Sequence, residues 1–354
     1  MPFLRNAWYM AGWAEQLSDK PLRIKILGRG IALYRLSNGE AVAIGDRCAH
    51  RFASLGDGKI VNDSLQCPYH GLRYDRTGQC VHNPHGDGAI PPRARVDSYR
   101  LIERHHGLWI WMGDPGLADP LKIPDFSLFD RADLASSRDR LYVRANYELV
   151  SDNLLDLSHA AYLHPFLATE GLASRSRTEV KRVDTTVWSF MWNDNEPVTP
   201  LFKLVWDGNG DRGDLRSHMR WTAPCNLYLD VGMTDVAAVS TESGPWLPSA
   251  HLLTPETESS THYFWMIARN RQQTNEELGK IIHQGISRAF TTEDEPMISR
   301  IFENMNGEDF RTLRPAMLPG DTAASLARRV LSTMIADESV HESEAQHPQT
   351  SNIA

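Results

Sequence analysis

Over the first third of the chain, apolar residues come in runs of about four, separated by turn chemistry. Ile31-Ala32-Leu33-Tyr34, Ala41-Val42-Ala43-Ile44 and Leu108-Trp109-Ile110-Trp111 have the length and bulk of strands. Ser37-Asn38-Gly39, Gly56-Asp57-Gly58 and Asn83-Pro84-His85-Gly86 lie between them, and apolar runs bounded by such residues predict short strands joined by turns. A small all-β domain over residues 1–115 is therefore expected, running into a Gly- and Pro-rich link between Gly113 and Pro124.

The pattern then becomes mixed, which predicts an α+β domain over residues 116–338. Tyr228-Leu229-Asp230-Val231, Leu252-Leu253 and Tyr263-Phe264-Trp265-Met266-Ile267 read as strands, and Asp152 to His164 reads as helical. Leu278, Ile282, Ile286, Ala289 and Phe290 recur at helical spacing, as do Ala323, Ala327, Val330 and Met334. Asp321 is placed to cap the last helix. The polar tail, residues 339–354, is expected to lack structure, and no internal repeat is evident.

Composition narrows the function. The chain has 354 residues, 41% hydrophobic and 23% charged, with a formal net charge of −8. That is enough for about two ordinary domains, and the acidic balance disfavours a nucleic-acid partner. No basic segment followed by a long apolar stretch opens the sequence, and no apolar window predicts a membrane span. A cytoplasmic location is expected. There the four cysteines, Cys48, Cys67, Cys80 and Cys225, are better read as metal ligands or buried thiols than as disulfides.

Two of them fall in a pattern. Cys48-Ala49-His50 is followed, after sixteen residues, by Cys67-Pro68-Tyr69-His70-Gly71. Each half offers one thiolate and one imidazole, whereas a zinc finger usually groups its cysteines in one half and its histidines in the other. The mixture suits a two-iron cluster in which one iron takes both thiolates and the other both imidazoles. Cys48, His50, Cys67 and His70 are thus expected to hold a [2Fe–2S] cluster. His82 and His85 are read as surface or hydrogen-bonding histidines, and Cys80 and Cys225 as inert buried thiols.

A second concentration runs from Ser151 to Pro165. Asn153, Asp156 and His159 are spaced by three and share one helical edge. His164 lies five residues beyond His159, turned about 140° away on an ideal helix. For both to reach one metal the helix must end or unwind, and Pro165 supplies a cause. Two imidazoles and a carboxylate form the facial triad of oxygen-activating Fe(II) enzymes. The carboxylate is sought in Glu293-Asp294-Glu295, among which periodicity does not choose.

With these motifs in view, the chain resembles Rieske non-haem iron oxygenases. The likeness is to the group of vanillate O-demethylase oxygenase, dicamba monooxygenase and toluenesulfonate methyl-monooxygenase. Arg5-Asn6-Ala7-Trp8-Tyr9, both cysteine–histidine loops, Trp109-Ile110-Trp111-Met112-Gly113-Asp114-Pro115, Asp152-Asn153-Leu154-Leu155-Asp156, Leu253-Thr254-Pro255-Glu256-Thr257 and Glu293-Asp294 carry it. The resemblance implies an N-terminal Rieske domain followed by a catalytic domain of the helix-grip (START or Bet v 1) kind. It implies that His159, His164 and Asp294 bind the mononuclear iron, with Asp156 and Asn153 in the catalytic set. Asp156 would link His159 to a Rieske histidine of a neighbouring subunit in a homotrimer.

The activity so implied is that of the terminal oxygenase of a multicomponent monooxygenase. Electrons from NADH pass through a separate ferredoxin or flavin reductase component, the cluster and the iron, with O2 as cosubstrate. An aromatic methyl ether, an aromatic acid in the first instance, would be converted to a phenol and formaldehyde. The chain has no Gly-x-Gly-x-x-Gly fingerprint, so NADH must act through a partner. Methyl or ring hydroxylation, or dihydroxylation, and a plain Rieske electron carrier are the competing readings. Leu155, Asn226, Asp230, His251 and Trp265 are the expected substrate-pocket residues.

Overall fold

Trp8–Trp13 (β1) and Gly107–Trp111 (β11) pair antiparallel and are buried along their whole length, so neither strand shows the polar alternation of a half-exposed one. Trp8, Trp109 and Trp111 keep their indole N–H groups satisfied at the carbonyls of Asp119, Arg104 and Asp114, as burial of a polar tip requires. The structure is a computed structural model describing residues 3–240 and 243–346. It divides into two compact units.

The first unit comprises Arg5–Asp130 and Thr254–Ser260 and is built of short strands. They are β2 (Leu22–Ile26), β3 (Arg29–Arg35), β4 (Ala41–Gly45), β5 (Lys59–Val61), β6 (Ser64–Gln66), β7 (Arg73–Tyr74), β8 (Cys80–His82), β9 (Ser98–Tyr99) and β10 (Leu101–Arg104). The strands form three sheets, ordered β1-β11-β10, β2-β3-β4-β9 and β5-β6-β7-β8. The unit runs past residue 115 because Phe126 stacks on Trp109 and touches Phe129, while Asp130 holds His105 Nδ1 at 2.6 Å. Thr254–Ser260 joins it through backbone bonds from Leu27 and Gly28 to Pro255 and Glu256.

The second unit is built on one antiparallel sheet of seven strands: β12 (Ala135–Val143), β13 (Arg177–Val183), β14 (Thr186–Pro197), β15 (Arg212–Thr222), β16 (Asn226–Thr234), β17 (Ser249–Thr257) and β18 (Ser260–Arg269), of which β17 from Thr254 and β18 at Ser260 count with the first unit. Their order is β12-β18-β17-β16-β15-β14-β13. Along β15 burial alternates residue by residue, so Leu215, Ser217 and Met219 turn to one face and Arg216, His218 and Arg220 to the other. The helices are α1 (Tyr147–Leu155), α2 (Ala160–Leu163), α3 (Leu172–Arg175), α4 (Pro200–Lys203), α5 (Glu276–Arg288), α6 (Glu295–Asn304), α7 (Phe310–Leu313) and α8 (Thr322–Gln346). α1, α5 and α8 pack on the sheet, giving the helix-covered antiparallel arrangement of a helix-grip domain.

Two local expectations change. The stretch from Asp152 to His164 is broken into pieces rather than continuous, as set out below. α8 continues through Gln346, into the segment expected to lack structure, since Glu, Ala and Gln favour helix even without apolar residues. The remainder of that tail lies outside the described residues. Asp321 closes a short turn in front of α8, its carboxylate accepting from Leu318 N at 2.6 Å.

Candidate metal centres and substrate cavity

The two cysteine–histidine loops fold alike. Cys48 N donates to Ala53 O and Phe52 N to Cys48 O, just as Cys67 N donates to Leu72 O and Gly71 N to Cys67 O. At the equivalent turn positions Phe52 and Gly71 have φ of 61° and 77°, so the second loop uses glycine where left-handed backbone is needed. The two loops share only their ligand types, so the duplication leaves no repeat in the sequence.

The loops bring their ligand types together. Cys48 and Cys67 are buried free thiols, and the rings of His50 and His70 lie 4.5 Å apart. Burial pushes the Cys67 thiol up, while the backbone N–H groups of Tyr69 and His70 favour its thiolate. Tyr74 OH lies 3.3 Å from Cys48 Sγ and accepts from Ala49 N at 3.2 Å, so it stands where it can donate to the sulfur once that is a thiolate. Two buried sulfurs met by donors, with two imidazoles beside each other, fit a cluster with mixed thiolate and imidazole ligands. His85 Nε2 bonds His70 O at 2.8 Å. Cys80 Sγ donates to His82 O and Cys225 Sγ to Leu253 O, with both thiols buried.

The second site is assembled by a break in the helix. The Asn146 side chain caps α1 by accepting from Glu148 N, and Arg328 of α8 ties α1 down through Glu148 (2.8 Å) and Asp152 (2.6 Å). α1 ends at Leu155, where Asp156 leaves helical backbone with φ −104° and ψ 88°. Its carboxylate accepts from Ser158 N at 3.0 Å and starts a 3₁₀ turn, Leu157–His159. His159 Nδ1 donates to the Asp156 carbonyl at 2.6 Å, rather than to its carboxylate as the shared helical edge suggests. His164 then stops α2 in front of Pro165 with φ −118° and ψ 80°.

Asp294 arrives on a π-helical turn, Ala289–Asp294, between α5 and α6. Thr291 and Thr292 hydroxyls bond the carbonyls of Ser287 and Arg288, and Pro296 offers no N–H to the preceding turn. Both loosen a helix at this point, and such widened turns recur at functional sites. The three acids that periodicity left open have separate partners. Asp294 Oδ1 sits 3.1 Å from His164 Nε2 and 3.5 Å from His159 Nε2. Glu293 Oε2 takes the His164 Nδ1 proton at 2.8 Å, and Glu295 pairs with Arg144 and Ser299.

With both Nδ1 atoms donating, His159 Nε2 and His164 Nε2 turn bare lone pairs toward each other at 3.2 Å. Asp294 adds a carboxylate oxygen, itself oriented by Asn153 Nδ2 at 3.1 Å. Three acceptors that converge with no proton to share among themselves, Asn153 donating only to the carboxylate, call for a cation. For ligand bonds of about 2.1 Å at right angles, donors would stand about 3.0 Å apart, close to the spacings found. His159, His164 and Asp294 thus fit a facial metal set. Burial works against charging His164, yet the carboxylates of Asp294 and Glu293 raise its pKa overall. The sequence offered Glu293 only as a candidate metal carboxylate, not as the partner of His164 Nδ1.

The three lie at one part of a mostly apolar cavity of about 120 Å³, whose walls include Met191, Phe202, Met219, Leu229, Trp265 and Phe290. His251 and Trp265, two of the residues named for a substrate pocket, line it. Leu155, Asn226 and Asp230, also named for that pocket, are not among the residues lining this cavity. On α1 the neighbouring Leu154 faces the cavity, a helical error of one position. Asp230 lies on the opposite face of β16 from Leu229 and Val231, where it pairs with Arg216 and accepts from Trp246 Nε1. Asn226, at the start of the same strand, is buried elsewhere.

Comparison with known proteins agrees with this geometry. Residues 7–100 match the Rieske [2Fe-2S] domain, and residues 143–337 match the vanillate O-demethylase oxygenase C-terminal domain. The chain belongs to the Rieske oxygenase family. It is 40% identical to the oxygenase component of chloroacetanilide N-alkylformylase from Rhizorhabdus wittichii, over 95% of this chain and 97% of that one. The oxygenase component of dicamba O-demethylase from Stenotrophomonas maltophilia is also 40% identical, over 92% and 95% of the two chains. The crystal structure of dicamba monooxygenase with non-heme iron and dicamba superposes with a TM-score of 0.84 at 35% identity, over 96% of this chain and 100% of that one. This Rieske oxygenase has no helix among its described residues long and apolar enough to cross a membrane.

Proposed function

We propose that the chain is the terminal oxygenase of a multicomponent monooxygenase that removes the methyl group of an aryl methyl ether. The observation that carries this reading is the His159, His164 and Asp294 set opening into an apolar cavity. A metal site that faces a dry pocket serves chemistry on a small organic molecule, whereas an electron carrier needs no such pocket. One ether, one O2, two electrons and two protons would yield one phenol, one formaldehyde and one water.

When bound, a [2Fe–2S] cluster held by Cys48, His50, Cys67 and His70 and an iron held by His159, His164 and Asp294 would supply the electrons and O2 activation. The chain's own residues do the rest. Glu293 and the Asp156 carbonyl hold the two imidazoles with Nε2 free. Asn153 aims Asp294. Met191, Leu229 and Phe290 keep the cavity dry and hold the ring of the substrate, so that hydroxylation falls on the methyl carbon. The hydroxylated methyl ether then collapses to phenol and formaldehyde.

The electrons come from NADH through a separate reductase with a ferredoxin or flavin, and the working form is a homotrimer. Asp156 would carry the link from His159, held by its backbone carbonyl, to a neighbouring subunit's cluster, which its carboxylate would meet. It lines a surface crevice with His159, where Met297, Ile301 and Met317 are exposed, and an exposed apolar patch of this kind favours a subunit contact. A second reading rests on the relative named as an N-alkylformylase: the same hydroxylation next to an amide nitrogen would release an N-alkyl group. Incubation with a reductase, NADH and a panel of aryl ethers and N-alkyl anilides tests both. Formaldehyde matched by phenol supports demethylation, whereas ring-hydroxylated products refute it.

A further inference from the structure

The polar groups of the cavity bear on what it admits. Apart from Asp294, none of its lining residues carries a fixed charge, and no Lys or Arg lines it among the described residues. Arg216, at the centre of β15, belongs to the opposite face of the sheet and is paired with Asp230. Beyond the metal set, hydrogen-bonding capacity comes from Ser217, Ser249, His251 and the indole of Trp265.

His251 is committed within the protein. Its Nδ1 meets Tyr263 OH at 2.6 Å and its Nε2 meets Ser249 Oγ at 2.9 Å. Tyr263 is fully buried, and its hydroxyl proton has no other use than donation to Nδ1. That fixes the proton on Nε2, where it is donated to Ser249, and leaves the Ser249 hydroxyl proton free to point into the cavity. Burial depresses the His251 pKa to about 3, so the imidazole stays neutral at physiological pH. The relay Tyr263–His251–Ser249 therefore presents one neutral donor and no cation.

We infer that the cavity takes an uncharged ligand, a single aromatic ring with small apolar substituents and one neutral hydrogen-bond acceptor, in place of the aromatic carboxylate expected from resemblance. Resting on the dealkylation reading, this names the substrate class: neutral aryl ethers or anilides, the ether or carbonyl oxygen accepting from Ser249. A carboxylate would give up its hydration for hydroxyls and hydrocarbon, a cost the site does not return. The positive charge of a loaded metal set lies where the alkyl group must sit, so a carboxylate drawn to it would displace the bond to be broken. The cavity volume of about 120 Å³ is near that of an engineered apolar cavity, about 150 Å³, which accommodates benzene. It suits one ring.

Calorimetric titration of the iron-loaded protein with 3-methoxybenzamide and 3-methoxybenzoate, near neutral pH, tests this directly. The pair differs in charge at nearly constant shape. The amide is expected to bind at least about a hundredfold more tightly. In Ser249→Ala the amide should lose about five- to tenfold in affinity, while 3-chlorotoluene, with no oxygen acceptor, binds as before. Equal or tighter binding of the benzoate, or no binding of either compound, overturns the inference. Formaldehyde release is followed in parallel, which separates the two claims. An amide that binds selectively without being demethylated leaves the neutral cavity standing and removes the dealkylation reading. A benzoate that binds tightly and is demethylated does the reverse.

Discussion

Replacing Glu293 probes how the metal set is held. Its Oε2 takes the His164 Nδ1 proton at 2.8 Å, with the glutamate side chain only 15% exposed. It fixes both the tautomer and the ring plane of a histidine that is itself buried. Arg288 stands 3.7 Å from the other oxygen but is 76% exposed, so it adds little. Loss of such a supporting carboxylate typically costs about 10- to 100-fold in metal affinity, about 1.4 to 2.7 kcal/mol. Glu293→Gln keeps an acceptor and its size and should fall near the lower figure. Glu293→Ala, which leaves His164 free to turn, should fall near the higher. Anaerobic titration of Fe(II) into protein with an intact cluster measures this, the EPR signal of the reduced Rieske centre reporting that the first unit is undisturbed. Wild-type affinity in both variants would refute the assigned role.

Purified protein should hold about three irons per chain and show a reduced Rieske EPR signal; stoichiometric zinc without that signal would contradict the ligand assignment. Arg328→Met should cost about 3–5 kcal/mol of stability in denaturant unfolding, because it strands the buried Glu148 and Asp152 carboxylates. Burial already raises both of their pKa values in the fold, against the pull of Arg328, and removing the cation raises them further. A raised folded-state pKa gives stability at low pH that is lost as pH climbs through it, so the deficit of the variant should be larger at pH 8 than at pH 5; a pH-independent deficit would refute this. Asp156→Asn keeps an oxygen for the Ser158 N–H and should preserve both metals, yet slow cluster oxidation severely in stopped-flow with substrate and O2. Wild-type rates would reduce Asp156 to a cap.

Much of this was legible in the sequence where side-chain chemistry is rare and spacing is tight. Cys48, His50, Cys67 and His70 stand out because two mixed cysteine–histidine loops have few structural uses. His159 and His164 could be paired only by postulating a break, and Pro165 gave one cause. The earlier break at Asp156 was hidden, since its carboxylate caps the next turn instead of marking a helical edge. Glu293 and Asp294 are adjacent, and on an ordinary helix they diverge by about 100°. The π turn that lets both address His164 is foreshadowed only by Thr291, Thr292 and Pro296. The cavity was the least legible part. Whether Leu229 or Asp230 faces it depends on strand parity, and a shift of one residue reverses every assignment.

Loaded with cluster and iron, this chain should oxidise an alkyl group using its own two electrons. A single-turnover experiment tests it most directly. Chemically reduced, reductase-free protein, freed of excess reductant, is mixed with O2 and a neutral aryl methyl ether, and formaldehyde and phenol are counted against chains. One electron from the cluster and one from the iron suffice for a single event, so close to one formaldehyde and one phenol per chain are expected, with none from Asp294→Ala. Oxidation of the cluster without formaldehyde, or formaldehyde undiminished in Asp294→Ala, would contradict the account.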